Sequence, residues 1–236
     1  MKLSIIIPVY NEEKTVAKIL KRVVNVKLPV AHKEILVIND GSTDKTRSII
    51  ESLKLKEINL YNSKKNQGKG SAVKFGIKKA TGDYIVIQDA DLEYDPKDII
   101  NLLKHLQSVS AEVVYGSRLK RLPNFSRDER TMQFFIHYLG NKFLSLTASI
   151  LYLHWVTDME SCYKLFPRKA MESITIHAKG FEFEPEITAK LLKNGYKISE
   201  IPISTNPRGY GEGKKLDTVK DGIKAIWALV KYRFID

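Results

Sequence analysis

The chain has 236 residues, of which 43% are hydrophobic and 28% charged, and its formal net charge is +12. This is ordinary globular composition, enough for one large α/β domain or two small ones, and its single cysteine, Cys162, excludes an intramolecular disulfide. The positive charge suits an anionic partner, which could be a nucleic acid, an acidic membrane surface or a phosphorylated substrate.

No segment approaches the roughly 20 apolar residues of a membrane span. The apolar run at the N-terminus is too short and too lightly flanked for a signal peptide. We therefore expect a cytoplasmic protein that contacts a membrane only peripherally, at its cytoplasmic face.

Strands and helices alternate through the first half of the chain. Apolar or β-rich runs predict strands at 3–9, 34–38, 58–61, 84–87 and 112–115. Helical spacing predicts helices at 16–24, after the capping residues 42–44, at 69–80 and at 96–106. This alternation predicts an α/β fold with a doubly wound, mostly parallel sheet flanked by helices, whose ligands lie beyond the carboxyl ends of the strands.

The second half is less regular. It predicts helices at 129–152, 185–194 and 217–234, and strands at 162–166 and 196–203. The last helix is basic and amphipathic, and one of its faces carries Val219, Ile223, Ile226, Trp227, Val230 and Phe234. Such a helix either packs on the domain, which we slightly favour, or lies in a membrane interface.

Three polar clusters follow predicted strands and should meet at one rim of the sheet. These are Tyr10-Asn-Glu12, Asp40-Gly-Ser-Thr-Asp44 and Gln88-Asp-Ala-Asp91. Asp89 and Asp91 would repel each other without a cation, and their oxygens suit Mg²⁺ or Mn²⁺, with Glu93 as a third candidate ligand. The alternative is a solvated acidic turn.

Glu12 and Asp40 end neighbouring strands, where carboxylates can accept hydrogen bonds from a nucleobase and a ribose. They could equally be a first-turn helix charge and a turn residue. The loop Gln67-Gly-Lys-Gly70 only partly matches a phosphate-binding loop, because position 73 is valine. We interpret it as a structural glycine turn.

Taken in order, the motifs resemble those of family 2 glycosyltransferases with the GT-A fold. They are Pro8-Val-Tyr-Asn-Glu12, Asp40-Gly-Ser-Thr-Asp44, Asn66-Gln-Gly-Lys-Gly70, Ala80-Thr-Gly-Asp83 and Asp89-Ala-Asp-Leu92. Later motifs are similar to the dolichyl-phosphate mannose/glucose synthase branch. These are Gly116-Ser-Arg118, Thr157-Asp-Met-Glu-Ser-Cys-Tyr-Lys164, Gly180-Phe-Glu-Phe-Glu184, Ile201-Pro-Ile-Ser204 and Arg208-Gly-Tyr-Gly-Glu-Gly-Lys214.

The resemblance implies a single domain over 1–236, with a Rossmann-like nucleotide-sugar half at about 1–116 and an acceptor-side half at about 117–236. It implies a nucleoside pocket formed by Pro8, Tyr10, Glu12, Ile38 and Asp40. Further implied roles are ribose, metal and diphosphate contacts for Asp89, Ala90 and Asp91, and phosphate contacts for Arg118, Arg208 and Lys214.

The implied reaction moves mannose or glucose from GDP-mannose or UDP-glucose to a polyprenyl (dolichyl) phosphate, with inversion and with Mg²⁺ or Mn²⁺. A phosphate acceptor is largely dianionic at pH 7 and needs little help from a base. If the acceptor were a sugar hydroxyl of a glycolipid or polysaccharide, Asp158 or Glu160 would be the candidate base, although Asp158 could instead pair with an arginine. A distant alternative is a nucleic-acid-binding protein, for which the sequence carries no motif.

Overall fold

A computed structural model describes residues 1–109, 111–120, 132–206 and 218–235 of the chain. The strands are β1 (Lys2–Val9), β2 (His32–Asn39), β3 (Ile58–Asn62), β4 (Tyr84–Ile87), β5 (Val113–Ser117), β6 (Lys164–Pro167) and β7 (Ile198–Pro202). The helices are α1 (Val16–Asn25), α2 (Thr46–Ser52), α3 (Lys69–Lys79), α4 (Asp98–Ser108), α5 (Met132–Tyr152), α6 (Ala170–Ser173), α7 (Phe183–Lys193) and α8 (Thr218–Phe234).

The seven strands form one sheet in the order β3-β2-β1-β4-β6-β5-β7. All neighbouring pairs are parallel except those of β6, which runs antiparallel to both β4 and β5. The carboxyl ends of β1, β2 and β4 therefore meet at one rim. Because β6 runs the other way, the residues that precede it reach the same rim.

The centre of the sheet is apolar on both faces, as continuous hydrophobic runs require. Ile5, Ile6 and Ile7 of β1 are fully buried, and α1 covers the sheet with a stripe that includes Val16 and Ile19. The predicted α/β fold and mostly parallel sheet are confirmed, and each predicted strand is present, β4 with the predicted bounds and the others with shifted ends. The sequence did not predict α6 or the antiparallel direction of β6. The predicted start of α5, 129–131, lies outside the described residues.

The C-terminal helix packs through a different face from the one predicted. Ala225, Ala228, Leu229 and Tyr232 are its buried side chains, and the Tyr152 hydroxyl donates to the Leu229 carbonyl at 2.8 Å to join α5 to α8. The predicted stripe is mostly exposed instead: Ile223, Trp227, Val230 and Phe234 face outward, and Ile226 is half-buried. Our preference for packing by that stripe was wrong, because the buried face of α8 carries two alanines with Leu229 and Tyr232.

Helix α5 is also apolar on its outer side. Its exposed residues are Phe135, Ile136, Leu139, Phe143, Leu146 and Ile150. Together with Ile223, Trp227, Val230 and Phe234 of α8 they form a surface that we call the α5–α8 apolar face. Among the helices in the described ranges, none combines the length and apolar character that crossing a bilayer requires.

We predict that Gly76→Ala destabilises the fold although alanine favours helices. A Cβ at position 76 in α3 would lie 2.5 Å from Ile6 Cγ2 of β1, so helix and sheet would have to separate. We expect a loss of about 1–3 kcal/mol in the free energy of unfolding, measured by denaturant titration.

The control is Gly140→Ala in α5, where an added Cβ meets nothing within 4 Å. Helix propensity alone should then stabilise the protein by up to about 1 kcal/mol. Equal effects of the two substitutions would contradict the close packing of α3 on β1.

Candidate functional site

A cavity of about 390 Å³ lies at the carboxyl ends of β1, β2 and β4. Its walls include almost every residue that was predicted to bind the nucleotide-sugar or a metal: Pro8, Tyr10, Glu12, Asp40, Asp89, Ala90, Asp91 and Glu93. Ile38 is the exception, since it is 1% exposed inside β2 and supports the cavity from beneath. We call this space the donor cavity.

Asp40 shapes one wall of the donor cavity. Its carboxylate accepts hydrogen bonds from the backbone N–H groups of Gln67, at 3.1 Å, and Gly68, at 2.8 Å. Gly68 has a φ of 97°, and a Cβ there would lie 2.3 Å from the Lys179 carbonyl oxygen. The glycine loop is therefore a tight structural turn, as its sequence indicated, and Asp40 holds it against the cavity.

Lys69, which follows that turn, is a site residue that the sequence analysis missed. Its Nζ lies 2.9 Å from Asp89 Oδ1 and 3.2 Å from Glu184 Oε1. Glu184 Oε2 in turn contacts Nζ of the fully buried Lys164 at 2.6 Å. Burial alone would lower the pKa of Lys69, but Asp89 and Glu184 together with Cys162 raise it well above its usual value, so the ammonium stays charged.

The metal prediction is only partly matched by geometry. Asp91 and Glu93 both line the donor cavity, and the Glu93 N–H donates to Asp91 Oδ1 at 3.0 Å. Asp89 is bound to Lys69, and the described residues contain no group of three His, Cys, Asp or Glu side chains that could hold an ion. The predicted set of Asp89, Asp91 and Glu93 therefore does not converge here. One or two carboxylates at a cavity wall do fit a hard cation that completes its shell with phosphate oxygens.

Arg118 and Asp158 form a bidentate ion pair at the cavity wall. Arg118 Nε donates to Asp158 Oδ2 at 2.8 Å, and Nη2 donates to Oδ1 at 2.7 Å. Asp158 is fully buried, and its Oδ2 also accepts from the Arg118 backbone N–H at 2.7 Å. Both oxygens are thus engaged, which is the arginine pair that the sequence offered as the alternative to a catalytic base. In this arrangement Asp158 is a positioning residue for Arg118.

Glu160 also lines the donor cavity. Burial raises its pKa to about 7, where Glu184 and Asp158 add to the rise and Lys164 and Arg118 oppose it. Its Oε1 is buried and has no hydrogen-bond partner among the described residues. Arg208 and Lys214, which were predicted to meet phosphates, lie outside the described residues.

The rim of a mostly parallel sheet, with a cavity lined by acids and a half-buried arginine, is where an α/β fold of this kind binds its ligand. The family comparison gives the class of enzyme. The pattern of glycosyl transferase family 2 matches residues 4–175, which is most of the chain. The chain belongs to this family and is a glycosyltransferase, as its motifs indicated.

Two relatives confirm the resemblance to the dolichyl-phosphate branch. Dolichyl-phosphate beta-glucosyltransferase ALG5A of Trichomonas vaginalis is 30% identical over 86% of this chain, which spans 65% of that relative's length. UDP-N-acetylglucosamine–dolichyl-phosphate N-acetylglucosaminyltransferase of Methanococcus voltae is 32% identical over 85% of this chain, and the match covers 84% of that relative's length.

Solved structures confirm the GT-A type of fold. Glucosyl-3-phosphoglycerate synthase from Mycobacterium tuberculosis, in complex with Mn²⁺ and uridine-diphosphate-glucose, superposes with a TM-score of 0.71. The similarity covers 98% of this chain and 78% of the synthase, at 19% sequence identity. At that identity the comparison concerns the fold alone.

We predict that Asp158→Ala lowers stability as well as activity, because it leaves the guanidinium of Arg118, whose side chain is only 20% exposed, without its partner. Removing one member of a buried ion pair typically costs about 3–5 kcal/mol, which denaturant unfolding would measure. The control is Glu51→Ala, which removes the exposed Arg47–Glu51 pair and should cost about 0.2–0.5 kcal/mol. An Asp158→Ala protein of unchanged stability that had lost transfer would instead restore Asp158 as a candidate base.

Proposed function

We propose that this chain is an inverting, metal-dependent glycosyltransferase that moves a hexose from a nucleotide-sugar to a polyprenyl phosphate. The observation that carries the proposal is the donor cavity, whose walls hold the family's acidic motifs beside a half-buried arginine. The two dolichyl-phosphate relatives support the acceptor class. One relative is named for glucose and the other for N-acetylglucosamine, so the identity of the transferred sugar has to be determined by assay.

In the proposed complex the nucleoside lies against Pro8, Tyr10, Glu12 and Asp40, and the diphosphate lies toward Asp91. Lys69 neutralises Asp89, which lowers the repulsion between the cavity wall and a diphosphate. Asp91, with Glu93 beside it, would hold Mg²⁺ or Mn²⁺ against the phosphates. A cation there would stabilise the negative charge that grows on the leaving diphosphate.

The acceptor phosphate would approach Arg118 from the other side of the sugar. Direct attack of a phosphate oxygen on the anomeric carbon breaks the bond to the diphosphate and inverts the configuration. A phosphate monoester has a second pKa near 6 and is mostly dianionic at pH 7, so the step needs no strong base. A sugar hydroxyl would require one, and the ion pair with Arg118 engages Asp158, which is one of the two candidate bases.

The α5–α8 apolar face is the proposed contact with the membrane that carries the lipid. Trp227 is 65% exposed and Ile150 64%, and the exposed basic residues Lys220, Lys224 and Arg233 lie on the same C-terminal helix. An apolar surface flanked by basic side chains suits an interface with anionic lipids. The cytoplasmic location stays a prediction.

We predict that Asp91→Ala abolishes transfer and leaves the fold intact. The assay pairs radiolabelled GDP-mannose, UDP-glucose or UDP-N-acetylglucosamine with polyprenyl phosphate and Mn²⁺ or Mg²⁺, and it counts label that extracts into organic solvent. We expect a loss of at least about 100-fold, because an electrostatic contact to the leaving group is removed. Chelation of the metal should have the same effect on the unaltered enzyme.

The matched control is Glu112→Ala, an exposed acid that precedes β5 at the opposite edge of the sheet. It should retain full transfer. Full activity of Asp91→Ala, or no lipid-soluble label with any donor, would contradict the metal assignment or the acceptor assignment respectively.

We predict that the double substitution Ile150→Glu and Trp227→Glu weakens binding to vesicles that contain anionic phospholipid. Each side chain contributes apolar area on insertion, so we expect the partition coefficient to fall at least about tenfold in co-sedimentation. Phe75→Glu is the control, because Phe75 is 40% exposed on α3, outside the α5–α8 apolar face. Equal binding of all three proteins would show that another surface meets the membrane.

A further inference from the structure

A second, smaller cavity of about 170 Å³ adjoins the donor cavity. The two share three lining residues, Arg118, Glu160 and Phe181. The remaining walls of the second cavity come from the helices of the α5–α8 apolar face: Gly140, Asn141, Phe143 and Leu144 from α5, and Asp221, Gly222 and Ile226 from α8. A ligand that reached the donor cavity from that face would pass Arg118 and Glu160.

Arg118 and Glu160 lie on this route, and each has a polar atom without a hydrogen-bond partner in the described ranges. Arg118 uses Nε and Nη2 on Asp158, and within the described ranges its Nη1 has no hydrogen-bond partner. Glu160 has a buried Oε1 that also lacks one. A buried polar atom without a partner is costly, so its presence at the junction of two cavities indicates a ligand that completes it.

We propose that Glu160, in its protonated form, donates a hydrogen bond to the acceptor phosphate that Arg118 holds, and so makes acceptor binding depend on pH. The inference rests on the proposed function, because it requires a phosphate acceptor. It deepens that function by assigning to Glu160 the recognition of the acceptor and not the removal of a proton.

Charge decides between these two roles. A carboxylate accepts hydrogen bonds only, and beside a phosphate dianion it would repel the ligand, whereas a carboxylic acid can donate. The charged groups around Glu160 are Arg118, Asp158, Lys164 and Glu184, with Asp221 across the second cavity. Burial outweighs the two cations and raises the pKa of Glu160 to about 7, so a large fraction is protonated at neutral pH.

The test is the pH profile of kcat/KM for polyprenyl phosphate, in the unaltered enzyme and in Glu160→Gln. The unaltered enzyme should give a narrow bell: a rise near pH 6 as the acceptor loses its second proton, and a fall above pH about 7 as Glu160 ionises. Glutamine donates a hydrogen bond at every pH. The Gln variant should therefore lose the alkaline fall and exceed the unaltered enzyme by about tenfold one pH unit above the midpoint of that fall.

Two further variants sharpen the result. Glu160→Ala cannot donate and should lower kcat/KM for the acceptor about 10- to 100-fold at pH 6.5, which is the usual effect of losing a hydrogen bond to a charged group. Glu112→Gln, outside both cavities, should keep the unaltered bell. Thermal unfolding at pH 6.5 should show that each variant is folded.

Each contrary outcome has a separate meaning. A Gln variant that loses at least about 100-fold at all pH values would make Glu160 a general base and overturn the proposal. So would an unchanged alkaline fall, or a change confined to the KM of the nucleotide-sugar. If the unaltered enzyme forms no lipid-soluble product from any donor, the proposed function fails, and this inference fails with it.

Discussion

The site depends on a chain of buried and half-buried charges that joins the first half of the chain to the second. Lys69 at the start of α3 binds Asp89 after β4 and Glu184 in α7, and Glu184 binds Lys164 at the start of β6. Charges removed from water are tolerated only when each has its partner, so the four positions are fixed relative to one another. The segment that follows β4 and helix α7 are therefore held together by electrostatics where a cavity interrupts the apolar packing.

Two ion-pair systems lie at the rim, one around Lys69 and one formed by Arg118 and Asp158. In the proposed complex, Lys69 neutralises the wall that would face a diphosphate, and Asp158 orients Arg118 at the wall that would face the acceptor. The same low-dielectric surroundings that strengthen these ion pairs also raise the pKa of Glu160 to about 7. One environment therefore holds the paired residues charged and lets the Glu160 carboxyl group titrate near neutral pH.

Much of the fold could be predicted from sequence because the signals were local. Apolar runs gave the seven strands, and polar clusters after β1, β2 and β4 placed Glu12, Asp40 and Asp91 at one cavity. The direction of β6 could not be predicted, since nothing in the four residues Lys164–Pro167 indicates an orientation. Ligand sites of parallel sheets are expected after the strands, at their carboxyl ends. Because β6 is reversed, the segment that precedes it reaches the same rim, and Glu160 therefore lines the cavity.

Other misses were long-range. Lys69 acts through partners 20 and 115 positions away along the chain, and only the folded chain reveals them. The outer face of α8 was misjudged because hydrophobicity alone favoured large side chains for packing, whereas the buried face includes the small residues Ala225 and Ala228.

The outward-facing aromatic and aliphatic residues of α5 and α8 also affect how the protein behaves once extracted from cells. In buffer without detergent, two molecules that associate through these residues bury apolar surface, which favours association. The net charge of +12 on each molecule opposes it by electrostatic repulsion. Added salt screens the repulsion and favours clustering, while a mild detergent covers the surface and disperses the molecules. Particle sizes measured by chromatography will accordingly vary with ionic strength and amphiphile, so a dimer is established only when it persists across both.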